Sequence, residues 1–135
     1  MSTAVERLID AIGYPDRAPG GASSFTLRVD GAEVVADERD GRMVLSCALG
    51  DDESMLPALA EYAAGRMLKE DAVFACDDGG RAMLWQDAPA SADQRSLRRL
   101  FESFMDSCDW WRARVDALRV AGAAAPEPDM AVIMP

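Results

Sequence analysis

Histidine is missing from the 135 residues of this chain, and with it the commonest general base and metal ligand. Hydrolytic mechanisms that depend on a histidine-containing triad are therefore excluded. The three cysteines, Cys47, Cys76 and Cys108, are odd in number, far apart and without a CxxC pair, so neither a disulfide framework nor a zinc site is predicted. Because each lies in an apolar segment, we expect reduced core thiols and no metal or cofactor.

Basic residues and long apolar runs are also scarce. Fourteen Lys and Arg against 24 Asp and Glu give a net charge of -10, which repels phosphate backbones and anionic lipid. No apolar run approaches the roughly 18 residues of a membrane span, and Glu6 and Asp10 stand where a signal peptide is basic or apolar. We therefore expect a cytoplasmic protein that binds neither nucleic acid nor membrane.

The length suits one domain, and a hydrophobic fraction of 50% suffices for a core. We expect residues 1–120 to form a single α+β domain and residues 121–135 a flexible C-terminal tail. The predicted order is helix, three strands, helix, two strands, long helix, with an antiparallel sheet packed against the helices.

Two Asp-Gly pairs, Asp30-Gly31 and Asp40-Gly41, predict tight hairpins that join strands over 25–29, 32–38 and 42–49. Pairing outward from these turns places every apolar partner on one face, which makes the register self-consistent. The predicted pairs are Val29 with Ala32, Leu27 with Val34, Phe25 with Ala36, Ala36 with Leu45, Val34 with Cys47, and Ala32 with Leu49.

The remaining elements follow from helical spacing and one further turn signal. A first helix starts after Ser2 or Thr3 and ends at Gly13, and a second runs to about Lys69 with Pro57 in its first turn. If Asp78-Gly79 is the turn of a second hairpin, Phe74, Met83 and Trp85 share one of its two apolar faces. The other face then carries Val73, Ala75, Ala82 and Leu84. Apolar residues from Leu97 to Leu118 predict a long third helix.

This pattern resembles the class I type III secretion chaperones of the CesT/Tir-chaperone family over about residues 3–120. Five segments carry the resemblance: ERLIDAIG, the FTLRVDGAEVVADERDGRMVLSCALG meander, SMLPALAEYAAG, the AVFACDDGGRAMLWQ hairpin and LRRLFESFMDSCDWWRARVDAL. The resemblance implies a homodimer in the bacterial cytoplasm that binds the extended N-terminal segment of a secreted effector, keeps it soluble and export-ready, and needs no cofactor. A secretion ATPase is a further candidate partner.

Two groups of apolar residues are candidates for these contacts. Extended cargo can add to a sheet edge and place alternate side chains in apolar pockets. The candidate cargo-binding residues are Val5, Leu8, Ile12, Phe25, Leu27, Val29, Val35 and Val44. The candidate dimer interface comprises Leu56, Leu59, Tyr62, Ala63, Phe74, Met83 and Trp85.

Two other functions remain open at this point. The same fold could sequester a transcriptional co-regulator, a function that the sequence does not separate from effector binding. A small enzyme that uses a carboxylate pair would need an Asp or Glu with a raised pKa in a pocket. No acidic residue occupies an apolar-face position of the predicted elements, so we expect no enzymatic activity.

Overall fold

A computed structural model describes residues 3–16, 19–50, 55–66, 71–77 and 79–124 of the chain. It contains three helices and five strands in the predicted order. They are α1 (Ala4–Ile12), β1 (Ser24–Val29), β2 (Ala32–Arg39), β3 (Arg42–Gly50), α2 (Leu56–Arg66), β4 (Val73–Cys76), β5 (Ala82–Pro89) and α3 (Gln94–Ala124). The α+β fold expected from the sequence is therefore confirmed.

All strand pairs in the five-stranded sheet are antiparallel, and the strand order is β1-β2-β3-β5-β4. Both Asp-Gly pairs have positive φ at the two central residues, between 51° and 80°, the geometry of a type I′ hairpin turn. The predicted register is confirmed for Phe25 with Ala36, Leu27 with Val34 and Val34 with Cys47. The first three strands therefore turn one continuous apolar face toward the helices.

The prediction for the β4–β5 hairpin was wrong by one residue. Cys76 pairs with Ala82 and Phe74 with Leu84, so Phe74 faces the helices whereas Met83 and Trp85 lie on the opposite face. The cause is Asp77, whose Oδ1 accepts hydrogen bonds from the backbone N–H groups of Gly79 and Arg81, both at 2.9 Å. These bonds stabilise a longer loop than a two-residue turn, and the longer loop shifts the register.

The core lies between one face of the sheet and α3. The helix buries a stripe at three- and four-residue spacing that includes Leu97, Phe104, Cys108 and Trp111, each fully inaccessible to solvent. Leu27, Val34, Leu45 and Leu84 meet this stripe from the sheet and are also fully inaccessible. Helix α1 packs beside α3 and closes the core at the β1–β2 end.

The thiols do not all behave as predicted. Cys47 and Cys108 are buried in this core, but Cys76 is exposed, because it is the last residue of the edge strand β4. A hydrogen bond with Cys47, followed in importance by burial, raises the pKa of Cys108 well above the usual range of a thiol. The Cys108 thiol is thus protonated and serves as a small apolar side chain.

Helix boundaries differ from the predictions in places. Helix α3 continues to Ala124, four residues beyond the predicted domain end at 120. Residues 125–135 and the predicted end of α2 near Lys69 lie outside the described residues, as do Ser2 and Asp78. Within the described ranges, no helix combines the length and the apolar character needed to cross a membrane.

Helix α1 begins with a capping box. The Thr3 hydroxyl accepts a hydrogen bond from the Glu6 N–H at 3.2 Å and donates one to the Ala22 carbonyl at 2.7 Å, while the Thr3 N–H donates to Glu6 Oε1 at 2.8 Å. A second carboxylate, Glu38 on β2, accepts from the Ala4 N–H at 2.9 Å. The start of α1 is thereby attached both to the loop before β1 and to the sheet.

Replacing Thr3 with Ala should lower the free energy of unfolding by about 1 kcal/mol, since both hydroxyl contacts disappear. Thr3→Ser keeps them and should restore most of the loss in a urea titration. Hydrogen bonds from Thr3 hold the pKa of Glu6 below its usual value, so the Glu6 contribution is present at neutral pH and disappears as the pH falls through that lowered pKa. Equal stability of Thr3→Ala and the unchanged chain would contradict this account of the cap.

Candidate functional site

The face of the sheet opposite the helices carries an apolar groove with a volume of about 500 Å³. Its floor comprises Val35, Val44, Met83, Trp85 and Ala75, from four neighbouring strands. Neither α1, α2 nor α3 covers these side chains, because all three helices pack on the other face. The groove therefore offers a continuous apolar surface to a binding partner.

Ion pairs line the rim of this groove. Arg39 contacts Asp37 at 2.6 Å and Arg42 contacts Asp87 at 3.1 Å near the β2–β3 turn. At the other end, hydrogen bonds from the backbone and side chain of Arg81 lower the pKa of Asp77. An apolar floor within a charged rim suits a polypeptide segment with alternating apolar and polar side chains.

Strand β1 is one free edge of the sheet, and Tyr14 partly covers it. The Tyr14 hydroxyl accepts a hydrogen bond from the Arg28 backbone N–H at 2.9 Å, and its ring meets Phe25 edge-on with centroids 6.2 Å apart. Backbone direction alternates along a strand, so the N–H and C=O of Thr26 point outward like those of Arg28. The Thr26 N–H has no hydrogen-bond partner within the described part of the chain.

The predicted cargo-binding residues fall into three groups. Val5, Leu8 and Leu27 are fully inaccessible to solvent, so they support the core and cannot contact cargo in this conformation. Ile12, Phe25 and Val29 are partly buried beside the β1 edge. Val35 and Val44 lie on the other face of the sheet, in the groove.

The predicted dimer residues are also divided by the sheet. Leu59 is buried in the core, while Leu56, Tyr62 and Ala63 are partly buried on α2. Phe74 stacks on Trp111 on the helical side, with ring centroids 5.3 Å apart. Met83 and Trp85 lie in the groove on the opposite face. The predicted dimer residues therefore lie on both faces of the sheet, and a single partner would contact both groups only around the edge strand β4.

A second groove of about 430 Å³ lies on the helical side of that edge, between α2 and β4. Small side chains form much of it, and the lining residues are Ala60, Ala63, Ala64, Ala72, Val73, Phe74 and Trp111. Val73 is 44% exposed, although it is a large aliphatic residue on an edge strand. An exposed, uncharged edge next to an apolar groove is a surface that folded proteins usually cover.

The position of α2 depends on Trp110, a residue that the apolar stripe of α3 does not include. The Arg66 and Arg114 guanidinium carbons lie 3.8 Å and 4.8 Å from the centre of its ring, and Tyr62 meets the ring edge-on at 5.9 Å. Leu59 is the only buried residue among the described positions of α2. The contacts around Trp110 therefore supply much of what holds α2 against α3.

Sequence reasoning missed one residue here, Tyr14, and left the role of Trp110 open between a partner contact and a partly buried surface side chain. Tyr14 follows the end of α1 in a turn, where no periodicity indicates a role. Trp110 lies next to a core tryptophan but outside the stripe. Arg114, four residues later on the same helix face, is the available signal for one of its cation–π contacts.

Comparisons with known proteins agree with this geometry. The model of the Tir chaperone protein (CesT) family matches residues 3–112. No curated protein matches the chain in a sequence comparison.

Three solved structures share the fold. The HopA1–SchA chaperone–effector complex contains a chain with a TM-score of 0.63 and 14% identity, over 82% of this chain and 91% of that one. A chain of the heterodimeric ExoU–SpcU complex from the type III secretion system of Pseudomonas aeruginosa has a TM-score of 0.63 and 22% identity, over 81% of this chain and 95% of that one. A chain of the ExsC–ExsE complex has a TM-score of 0.62 and 16% identity, over 82% of this chain and 89% of that one.

Replacing Trp110 with Ala should loosen α2 without unfolding the domain. Amide exchange within residues 56–66 should become at least about tenfold faster, since cation–π and aromatic contacts contribute on the order of 1 kcal/mol or more together. Exchange in β2 and β3 should change little. Trp110→Phe keeps an aromatic face and should show a smaller effect; equal acceleration in every strand would mean that Trp110 stabilises the whole domain instead.

Proposed function

Because the chain belongs to the Tir chaperone protein (CesT) family, we propose that it is a type III secretion chaperone that binds an extended N-terminal segment of a secreted effector. The observation that carries the proposal is the free β1 edge, whose Thr26 N–H is unpaired among the described residues. Solved relatives of the fold include a chaperone–effector complex, which supports an effector as the partner. Binding of this kind requires neither a cofactor nor a catalytic group.

The backbone of the cargo would pair with β1. An added strand gains main-chain hydrogen bonds, and Thr26 supplies an outward donor and acceptor at the centre of the strand. Tyr14 occupies the next outward donor, Arg28 N–H, so cargo that extends along all of β1 displaces the tyrosine hydroxyl. Tyr14 thus protects the empty edge from unwanted pairing, and a cargo strand that pairs with β1 displaces it.

The side chains of the cargo would use two apolar surfaces. Ile12, Phe25 and Val29 are partly buried beside the edge on the helical face, and the groove with Val35 and Val44 lies on the opposite face of the sheet. Each aliphatic side chain that the cargo buries contributes about 1.5–3 kcal/mol. A few such contacts offset the ordering of an extended peptide and leave useful affinity.

A homodimer is the second part of the proposal. The β4 edge, the groove beside α2 and the half-exposed Val73 form one uncharged surface. A second copy that packs against this surface would cover both sides of β4. In that arrangement Tyr62, Ala63 and Phe74 lie on the helical side of the contact and Met83 and Trp85 on the other. The β1 edge lies at the opposite end of the sheet and stays free for cargo.

Thr26→Pro tests the cargo edge. Proline removes the outward N–H, and its ring blocks strand addition, yet the hydrogen bonds between β1 and β2 stay intact because they come from the alternate residues. We expect binding of an effector N-terminal segment, measured by calorimetry, to weaken at least about tenfold, since several main-chain hydrogen bonds are lost. Thr26→Ala keeps the N–H and should bind normally. Unchanged binding by a folded Thr26→Pro variant would exclude β1 as the cargo strand.

Val73→Asp tests the dimer. A charge at the centre of an apolar contact is costly to bury, so light scattering at micromolar concentration should give the monomer mass for this variant and the dimer mass for the unchanged chain. Val120→Asp is the matched control, because Val120 is likewise exposed, at 66%, but belongs to α3 and not to the β4 edge. A dimer that survives Val73→Asp, or a monomeric unchanged chain, would contradict this interface.

A further inference from the structure

Two arginines on α3, Arg95 and Arg99, differ from the other arginines that the structure describes. Every other described arginine has an ion pair, a hydrogen bond or a ring contact; examples are Arg28 with Glu33, Arg98 with Glu102 and Arg119 with Asp116. Within the described part of the chain, Arg95 and Arg99 have no such contact, and both are exposed. Their guanidinium groups thus keep all their N–H donors available.

The location of this pair is unfavourable for the helix. Arg95 and Arg99 lie in the first two turns of α3, at the positive end of the helix dipole, where cations are disfavoured. They are also four residues apart on the same face, so the two like charges repel each other. Asp93, which accepts a hydrogen bond from the Ser96 N–H at 2.8 Å, offsets part of this charge. A local arrangement that opposes stability and is compensated only in part is typical of a functional surface.

The arginine pair lies on the solvent-exposed side of α3. Leu97 and Leu100, which alternate with the pair along the helix, are buried against the sheet. The apolar groove lies on the far face of that sheet. A ligand on Arg95 and Arg99 would therefore leave the groove free.

We propose that Arg95 and Arg99 form a docking site for an acidic segment of a partner protein other than the cargo. Residues four apart on a helix have Cβ atoms about 5–6 Å apart, so the pair matches two carboxylates at similar spacing, and each guanidinium can bind one of them bidentately. The net charge of -10 does not prevent this contact, because screening limits repulsion to about 8 Å at physiological salt. A long polyanion such as nucleic acid would extend into the acidic remainder of the surface, which disfavours it.

A nuclear magnetic resonance titration with hexaglutamate tests the site on the full chain at physiological salt, where screening limits the repulsion from the acidic remainder of the surface. We expect saturable shifts of backbone amides confined to about residues 93–102, and loss of these shifts at high salt. Arg95→Gln with Arg99→Gln should weaken binding at least about tenfold, since two charge-assisted bidentate contacts are removed. The control variant, Arg28→Gln with Arg119→Gln, removes the same amount of positive charge from two ion-paired arginines and should bind hexaglutamate as tightly as the unchanged chain. Absent or scattered shifts, or equal weakening by the control pair, would overturn the proposal.

Thermal unfolding of the same variant separates docking from a structural role. The removal of two cations from the positive end of α3 should leave the melting temperature unchanged or slightly higher. A lower melting temperature together with lost binding would show that the pair stabilises the helix, and the proposal would then fail. Neither the titration nor the unfolding measurement involves cargo, so failure of this proposal would not contradict the proposed chaperone function.

Discussion

Packing of α3 on one face of the sheet is the contact on which the rest of this structure depends. A single amphipathic helix with Phe104 and Trp111 at its centre covers the apolar side of five strands, and α1 and α2 pack on the same side. One layer of helices on one sheet gives a complete core for a chain of this size. The other face of the sheet and both of its edges consequently remain outside the core.

The two edges are protected in different ways. At β1 the Tyr14 hydroxyl occupies one outward donor and its ring covers Phe25, a cover that can move aside without disturbing the core. At β4 no charged side chain occupies the four-residue strand, and exposed Val73 lies next to a groove lined by alanines. The first arrangement suits a partner that binds and is released, whereas the second suits a permanent contact.

The tight turns explain why most of the fold could be predicted from sequence. Asp30-Gly31 and Asp40-Gly41 favour a single turn type, and the apolar alternation then permits one register. The β4–β5 hairpin contains the same Asp-Gly signal, but there the Asp77 side chain organises a longer loop. Two local preferences competed, and the pattern alone did not reveal which was stronger.

The candidate site was less predictable, for a related reason. An apolar stripe indicates that a face is covered but not whether the cover is the core or a partner, so Val5, Leu8 and Leu27 entered the predicted cargo set although they are fully buried. Val35 and Val44, which belong to the same predicted set, lie instead on the opposite face of the sheet, in the groove. Tyr14 and Trp110 act through a hydroxyl, a ring face and neighbours distant in sequence, which a linear pattern does not encode.

The central claim is that extended cargo adds to the β1 edge of the sheet. Amide exchange of the chaperone, measured with and without an effector N-terminal segment, tests it most directly because each backbone N–H is observed separately. The account predicts that the Thr26 amide changes from fast exchange to strong protection on binding, with smaller gains in the strands of the groove. Protection gained elsewhere, with Thr26 still exchanging as fast as in the free protein, would contradict the account.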